Sequence, residues 1–250
     1  MAPSDTRSFR LDELLVRRGL LTSRAQAQSA IHEGRVQVAG VMAIKPALRI
    51  PENAEIIVAP PSHNYVSRGG LKLAHGLDVF GFDVKAKLCL DVGASTGGFT
   101  DVLLSRGARH VYALDVGHDQ LAPSLRNDPR VTLMEGVNAR YLKPGDLAQA
   151  PDIIVCDVSF ISLTLILPPV LALGSRQAKL VALIKPQFEL TPTEIGKGGI
   201  VRDHMAHKRA CQNIATLVAN LQGWQIVDVI DSPITGADGN REYLLGAYVN

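Results

Sequence analysis

Two lysines and two acids stand where a folded chain can bring them to one edge: Lys72, Asp157, Lys185 and Glu242. Asp157 closes the apolar run Ile153-Ile154-Val155-Cys156, and Lys185 closes Leu180-Val181-Ala182-Leu183-Ile184. A lysine at the end of a buried apolar strand is costly unless it is paired or functional. Asp157, at the tip of a neighbouring strand, offers that pairing. Lys72 lies in an upstream helix with an apolar face, and Glu242 belongs to the last apolar run. Any one of the four alone reads as surface charge. Together, at strand ends and a helix start, they suit a reaction that deprotonates a hydroxyl and holds a phosphate or alkoxide.

The cofactor of such a reaction is suggested by Leu88-Cys-Leu-Asp91-Val-Gly93-Ala94-Ser95-Thr-Gly97-Gly98-Phe-Thr100. An alternating apolar run meets an acid, then a glycine-rich turn, and helical spacing resumes at Phe99. Glycines let a backbone approach a ligand, and the free amides of a helix start carry partial positive charge. The GlyLysSer or GlyLysThr of a Walker loop is missing. Ser95 stands where a dinucleotide fingerprint needs its second glycine. An acid two residues before the first glycine is instead the pattern of S-adenosylmethionine (SAM) methyltransferases, with Asp91 facing the cationic amino-acid end of the cofactor. A dehydrogenase remains the competing reading of the loop. Asp115 ends the next expected strand, 18 residues beyond Gly97, where an acid accepts hydrogen bonds from an adenosine ribose. Asn138, after the third strand, is placed to face adenine or is an ordinary loop asparagine.

The elements that must position these residues alternate strand and helix. Strands are expected near 88–92, 110–115, 131–134, 152–157, 179–184, 225–231 and 241–248. Helices are expected in the gaps, among them Phe99 to Arg106 and Asp203 to Leu221. Leu71, Leu73, Ala74, Leu77 and Phe80 give the helical face that carries Lys72, with Ser67 as its N-cap. The fold class is α/β: a Rossmann-like, doubly wound sheet of seven strands, with a small α+β domain ahead of it. No helix separates the last two strands, so they pair antiparallel. A reversed final strand marks the SAM methyltransferase version of this fold and argues against a dehydrogenase.

Composition narrows the classes further. A chain of 250 residues, 46% hydrophobic, fits one moderate domain plus a small one. Its net charge of +2 permits a nucleic-acid partner without demanding one. Cys89, Cys156 and Cys211 are far apart, so neither a zinc site nor a disulfide framework is expected, and the compartment is reducing. No apolar signal core opens the chain, and Pro168-Pro169 and Asp157 interrupt the most apolar run. A cytoplasmic protein without membrane or metal partners is expected. His204 and His207 lack a third ligand and read as a solvated helix start. The loop Gly196-Lys-Gly-Gly199 suits phosphate contact or simple flexibility. Cys156, inside a strand, reads as a core thiol and not a nucleophile. The Pro-Pro-aromatic motif of amino-methylating enzymes is absent beside Asp157.

Upstream, residues 1–60 form the small domain, 61–64 a stiff polar linker, and 65–250 the large domain. Leu11 to Arg18 is a short helix closed by Gly19. Ser23-Arg-Ala-Gln26 is a capping box opening a second helix that stops at Gly34. Strands follow at Arg35–Val38, through Ile44, and at Glu55–Val58. The order Arg10-Leu-Asp-Glu-Leu-Leu, Arg18-Gly-Leu, Ser23-Arg24, Gly34-Arg-Val-Gln-Val and Lys45-Pro46 resembles the RNA-binding domain named after ribosomal protein S4. That resemblance implies RNA contacts from Arg24 and Arg35, and with them Arg10, Arg18, Lys45 and, further on, Arg68. Ordinary solvated surface accounts for the same charges. Arg10-Leu-Asp also mimics the catalytic motif of pseudouridine synthases, but here it opens a helix of the small module.

Lys72, Asp157, Lys185 and Glu242 resemble the Lys-Asp-Lys-Glu tetrad of FtsJ-like ribose 2′-O-methyltransferases. With Ser67-Arg-Gly-Gly, Asp157-Val-Ser-Phe-Ile-Ser-Leu, Lys185-Pro-Gln-Phe-Glu and Glu242-Tyr, the chain is similar to the TlyA (haemolysin A-like) family from about Phe9 to Tyr248. The resemblance implies SAM-dependent 2′-O-methylation of cytidine in ribosomal RNA, with the ribosomal subunit as partner. Longer members carry a C-terminal tail that this sequence does not show, which favours the large subunit. The competing classes are an RNA-binding assembly factor without catalysis and a membrane-lytic haemolysin.

Overall fold

The computed structural model describes residues 7–60 and 63–250, in two compact units that divide between Arg68 and Gly69. In the first, β1 (Ser8–Arg10) runs directly into α1 (Leu11–Arg17), and α2 (Arg24–His32) follows. Ser23 caps α2 by accepting from the Gln26 amide at 3.2 Å. Gln26 does not return the bond to Ser23. Its carbonyl accepts instead from the Thr22 hydroxyl at 2.7 Å, so only half of the expected capping box forms. β2 (Val36–Val38), β3 (Val41–Met42), β4 (Arg49–Pro51) and β5 (Ile56–Val58) complete the unit. The sheet β3-β2-β5 was legible in the sequence; the β1–β4 pair, three residues each, was not. Leu11, Leu14 and Leu15 of α1 pack against Ala27, Ala30 and Ile31 of α2 in a small separate core. Residues 61–62 of the expected linker lie outside the described residues, while His63 stacks on Tyr65 within the first unit.

The second unit opens with α3 (Gly69–Phe80) and the buried strand β6 (Leu88–Val92). α4 (Gly98–Ser105), β7 (His110–Asp115), α5 (Pro123–Arg126) and β8 (Val131–Glu135) follow. Then come β9 (Ile153–Cys156), α6 (Leu163–Leu171), β10 (Lys179–Ile184) and the single turn α7 (Pro186–Glu189). α8 (His204–Ala219), β11 (Trp224–Asp231) and β12 (Tyr243–Val249) close the chain. All seven expected strands form one sheet, ordered β11-β12-β10-β9-β6-β7-β8. β12 is antiparallel to both its neighbours, as the missing helix before it requires. One expected helix is absent. Between β8 and β9 there is a 3-10 turn at Ala139–Tyr141 and otherwise irregular chain, because Pro144, Gly145 and Pro151 leave no run long enough for a helix.

Register decides what meets at the functional edge. β6 runs to β7 and β8 on one side, and the chain then crosses back to place β9 on the other side of β6. The switch point of the sheet therefore lies between β6 and β9. Val92 pairs with Cys156 and with Leu114, so Gly93, Asp157 and Asp115 leave the sheet at one level. Ile184 pairs with Tyr243, which puts Lys185 and Glu242 side by side at the same edge.

Candidate active site

Lys72 is 6% exposed and Glu242 4%, and the lysine ammonium donates to Oε2 of Glu242. Lys185 Nζ lies 2.6 Å from Asp157 Oδ1 and donates to the Ser159 hydroxyl at 2.8 Å. The two pairs share one field. Burial alone would push the Asp157 carboxyl up, but the charges of Lys185 and Lys72 hold it below the usual carboxylate range. Burial would likewise lower Lys185, yet Asp157 and Glu242 hold it above the ordinary lysine value. The resting site is thus two ammonium groups interleaved with two carboxylates. It places a cation, not a free amine base, at the tip of β10.

Beside it opens a cavity of about 510 Å³, lined among others by Gly93, Ser95, Asp115, Asn138, Asp157 and Phe160. Asp115 accepts from the Ser95 amide at 2.8 Å and from the Gly117 amide at 2.7 Å. Each carboxylate oxygen keeps a second lone pair for a ligand hydroxyl. Asn138 caps the 3-10 turn by accepting from the Arg140 amide at 3.0 Å, so its carbonyl is already used, while its side chain still faces the cavity. Asp91 is wholly buried. Oδ2 accepts from the Thr100 hydroxyl at 2.7 Å, and Oδ1 has no hydrogen-bond partner. Burial, reinforced by Asp157 and Asp115, pushes this carboxyl up to about 7. Ala94 is tied to β7 through its amide and the Leu114 carbonyl, and Gly98 opens α4.

The glycines have a more specific reason than access for a ligand. A Cβ on Gly93, at φ +85°, would stand 2.3 Å from the Asp157 carbonyl oxygen. One on Gly97, at φ +97°, would stand 2.3 Å from a Leu125 methyl. The first lets the cofactor-loop and Asp157 strand tips touch; the second seats α5 against the loop.

The sequence reading assigned no role to Phe160, which is 91% exposed with φ +63°, a strained conformation for an aromatic residue. Its ring centroid lies 5.2 Å from that of Phe188 on α7. Glu189 fixes this loop, accepting from the Ser162 hydroxyl at 2.5 Å and the Leu163 amide at 2.9 Å. The signal available in the sequence was an aromatic three residues beyond the strand-tip acid. Cys156 is wholly buried with its thiol pushed up by burial, as a core cysteine should be. No group of three or more His, Cys, Asp or Glu able to hold a metal occurs among the described residues, and no described helix is long and apolar enough to cross a membrane.

Several of the arginines expected at RNA are engaged within the first unit. Arg10 and Arg24 both donate to the buried Asp12 carboxylate, Arg10 through two bonds of 2.9 Å and Arg24 at 3.2 Å. Arg18 donates to the Ala54 carbonyl at 2.7 Å, and Arg35 pairs with Glu33 at 2.6 Å. Arg10 and Arg24 keep 39% and 58% of their side chains exposed, whereas Arg35 keeps 16%. Arg35 is a structural residue more than a presented one. Lys45 is exposed and Arg68 half-buried.

A seven-stranded sheet with a reversed strand, and an acid-glycine loop at its switch point, is the architecture of a Rossmann-like methyltransferase. Residues 65–248 match the FtsJ-like methyltransferase family and residues 9–56 the S4 domain. The 16S/23S rRNA (cytidine-2′-O)-methyltransferase TlyA of Mycobacterium tuberculosis is 47% identical over 96% of this chain and 89% of its own. The 23S rRNA (cytidine-2′-O)-methyltransferase TlyA of Campylobacter jejuni is 39% identical over 73% of this chain and 70% of its own. The structure of a hemolysin-named protein from Streptococcus thermophilus is 40% identical, covers 98% of this chain and 90% of its own, and superposes with a TM-score of 0.76. The chain belongs to the TlyA family of FtsJ-like methyltransferases.

Proposed function

We propose that the protein methylates the ribose 2′-hydroxyl of a cytidine in ribosomal RNA, using SAM, with the large subunit as its substrate. The observation that carries this reading is the buried Lys72–Glu242 pair beside Lys185–Asp157, next to the cavity of the acid-glycine loop. That set fits a hydroxyl acceptor and offers no thiol nucleophile or amide clamp. SAM fits the cavity on three counts. Asp91, buried directly behind the lining residues Val92 and Gly93, has an unpartnered carboxylate oxygen whose charge favours an amine nearby, Asp115 has spare lone pairs for its ribose hydroxyls, and the volume is in the range of ligand pockets. When bound, it supplies an electrophilic methyl group on a sulfonium.

The chain's own residues do the rest. Lys185, held as an ammonium toward Asp157 and Ser159, hydrogen-bonds the 2′-oxygen and stabilises the negative charge that develops there as the O–H bond breaks. Because Lys185 is already protonated, the hydroxyl proton leaves to water; SAM would supply the methyl group for that oxygen, its carbon–sulfur bond breaking as the carbon–oxygen bond forms. Lys72 and Glu242 hold the second half of the field, so that Asp157 stays ionised and Lys185 stays oriented. Phe160, exposed beside the lysine and braced by Phe188, offers a stacking face for a base turned out of its helix. The N-terminal unit presents Arg10, Arg24 and Lys45 to RNA phosphates.

The test is transfer of labelled methyl from SAM to ribosomal RNA lacking the modification, followed by mapping of 2′-O-methyl positions in both subunits. Lys185→Ala should slow single-turnover methylation by roughly 10²-fold or more, with SAM affinity nearly unchanged. An unchanged rate removes the tetrad assignment, and transfer to the small subunit alone removes the large-subunit preference. Leakage of vesicles by the pure protein without SAM would revive a lytic role.

A further inference from the structure

The chain between β9 and α6, residues 158–161, lines the cofactor cavity and carries Phe160, yet its own backbone ties it to nothing. The Asp157 amide donates to the Val92 carbonyl at 2.9 Å, and the next main-chain bond comes only where the Leu165 amide meets the Ser162 carbonyl at 3.1 Å. Among the described residues, no backbone hydrogen bond reaches Val158, Ser159, Phe160 or Ile161. A loop of this kind, left to itself, opens easily. Phe160 nevertheless holds φ +63°, and a strained conformation persists only where its surroundings impose it.

Those surroundings are one short segment, Lys185 to Glu189. Lys185 donates to the Ser159 hydroxyl at 2.8 Å, and the Phe188 ring lies 5.2 Å from that of Phe160. Glu189 takes the Ser162 hydroxyl at 2.5 Å on one oxygen and the Leu163 amide at 2.9 Å on the other. The contacts thus run in step along the two segments, 185 to 159, 188 to 160 and 189 to 162. The holding segment has the backbone bonds that the loop lacks. Pro186 opens α7 with its φ already set, and the Phe188 amide returns to the Lys185 carbonyl at 2.9 Å. Glu189 neither lines the cavity nor belongs to the catalytic quartet, so its two bonds act on the site only through the loop.

We infer that Glu189 is a positioning residue for the acceptor nucleotide. By clamping the far end of the loop it fixes the Phe160 ring relative to the Lys185 ammonium, so that a base stacked on Phe160 delivers its own 2′-oxygen to Lys185. A nucleotide still stacked in a helix cannot meet both groups, and the clamp thereby favours an extruded one. The inference rests on RNA being the methyl acceptor and on Phe160 stacking its base.

Two measurements on the full chain test it. The first is a double-mutant cycle in kcat/KM for ribosomal RNA. Phe160→Gly and Glu189→Ala should each lose about tenfold, the scale of one base–aromatic stack, and the double variant should also lose about tenfold and not about a hundredfold. Glu189→Gln keeps an acceptor for the Leu163 amide and should recover most of the loss. S-adenosylhomocysteine should bind every variant nearly as it binds the unmutated chain. The second is cleavage by chymotrypsin after Phe160, followed by mass as fragments 1–160 and 161–250. Cutting needs the loop to open locally, so it should be several-fold faster in Glu189→Ala and close to the unmutated rate in Glu189→Gln. A lost contact at the start of α6 would by itself lower stability without coupling to Phe160, so additive losses in the cycle overturn the inference. A Glu189→Gln as slow as Glu189→Ala, a loss carried by cofactor affinity, or an unchanged cleavage rate overturns it too. An unmutated protein that transfers no methyl to RNA defeats the proposed function, whereas missing coupling in an active enzyme defeats this inference alone.

Discussion

If SAM binds as proposed, Asp91 should make its binding a proton-linked event. Its carboxyl stands at about 7 in the ligand-free protein, because burial opposes ionisation and Thr100 satisfies only one oxygen. A cationic amine seated in the cavity, beside Val92 and Gly93, favours the carboxylate over the neutral acid. At pH 6 a group with this value is about nine-tenths protonated, and at pH 8 about one-tenth. Affinity for S-adenosylhomocysteine, whose amine stays charged across this window, should therefore fall about tenfold from pH 8 to pH 6, or about 1.4 kcal/mol. Calorimetry at pH 6 in two buffers of different ionisation enthalpy should show close to one proton released per ligand, and very few at pH 8. The same shift has a stability consequence of opposite feel. Between the unfolded carboxylate value and about 7 the folded protein binds more protons than the unfolded chain, so this group's contribution to ligand-free stability falls as pH rises through that window, by something of order 4 kcal/mol at most. Asp91→Asn should remove both effects together, which separates them from every other titrating group. Proton release near zero at pH 6, with a flat affinity profile, would show Asp91 already ionised and refute the reasoning.

Three further outcomes follow from the same geometry. Glu242→Gln should destabilise the protein by about 3–5 kcal/mol in urea unfolding, because it strands a buried Lys72 charge, and Lys72→Met with Glu242→Leu together should cost clearly less; a single substitution costing under about 0.5 kcal/mol would deny the pair its coupling. Phe160→Gly should weaken RNA capture or slow methylation by roughly tenfold while relieving the positive-φ strain that any Cβ meets there, so unfolding stability should hold or rise, and unchanged kinetics would remove its role as a base platform. A chain beginning at residue 61 should bind SAM normally but lose RNA affinity, with a flatter dependence on salt, and an unaltered salt slope would take RNA clamping away from the N-terminal unit.

The large sheet was legible because its strands are apolar runs bounded by glycine, proline or charge, and because strand tips announce themselves when a buried run ends in Asp or Lys. The four charged residues could be grouped for the same reason. Their electrostatic state could not, since it depends on which lysine sits in whose field. A lysine at a strand tip reads only as paired or functional, whereas in the fold Asp157 and Glu242 together hold Lys185 above the ordinary lysine value against the effect of burial. Gly93 and Gly97 were visible as turn residues, but their collisions are with Asp157 and Leu125, far along the chain. β1 and β4 escaped notice because three residues give too little alternation to read. The missing helix after β8 shows the converse, an assumption of regular alternation overruled by local prolines. Phe160 was visible only as an aromatic three residues beyond the strand-tip acid; its exposure and positive φ exist only in the folded loop.

The buried carboxylate of Asp12 has a bearing on how the N-terminal unit will answer to mutagenesis. Its two arginines and Gln28 hold it well below the usual carboxylate range against the opposing effect of burial. Arg10→Ala or Arg24→Ala would thus remove a charge proposed to face RNA and, in the same stroke, strip a fully buried anion of a partner. Weaker RNA binding by either variant would mix lost contact with a loosened module, and the mixture would overstate the arginine's part in recognition. Pairing each arginine substitution with Asp12→Asn separates the two. What the double variant still loses belongs to the RNA, and what it recovers belongs to the fold.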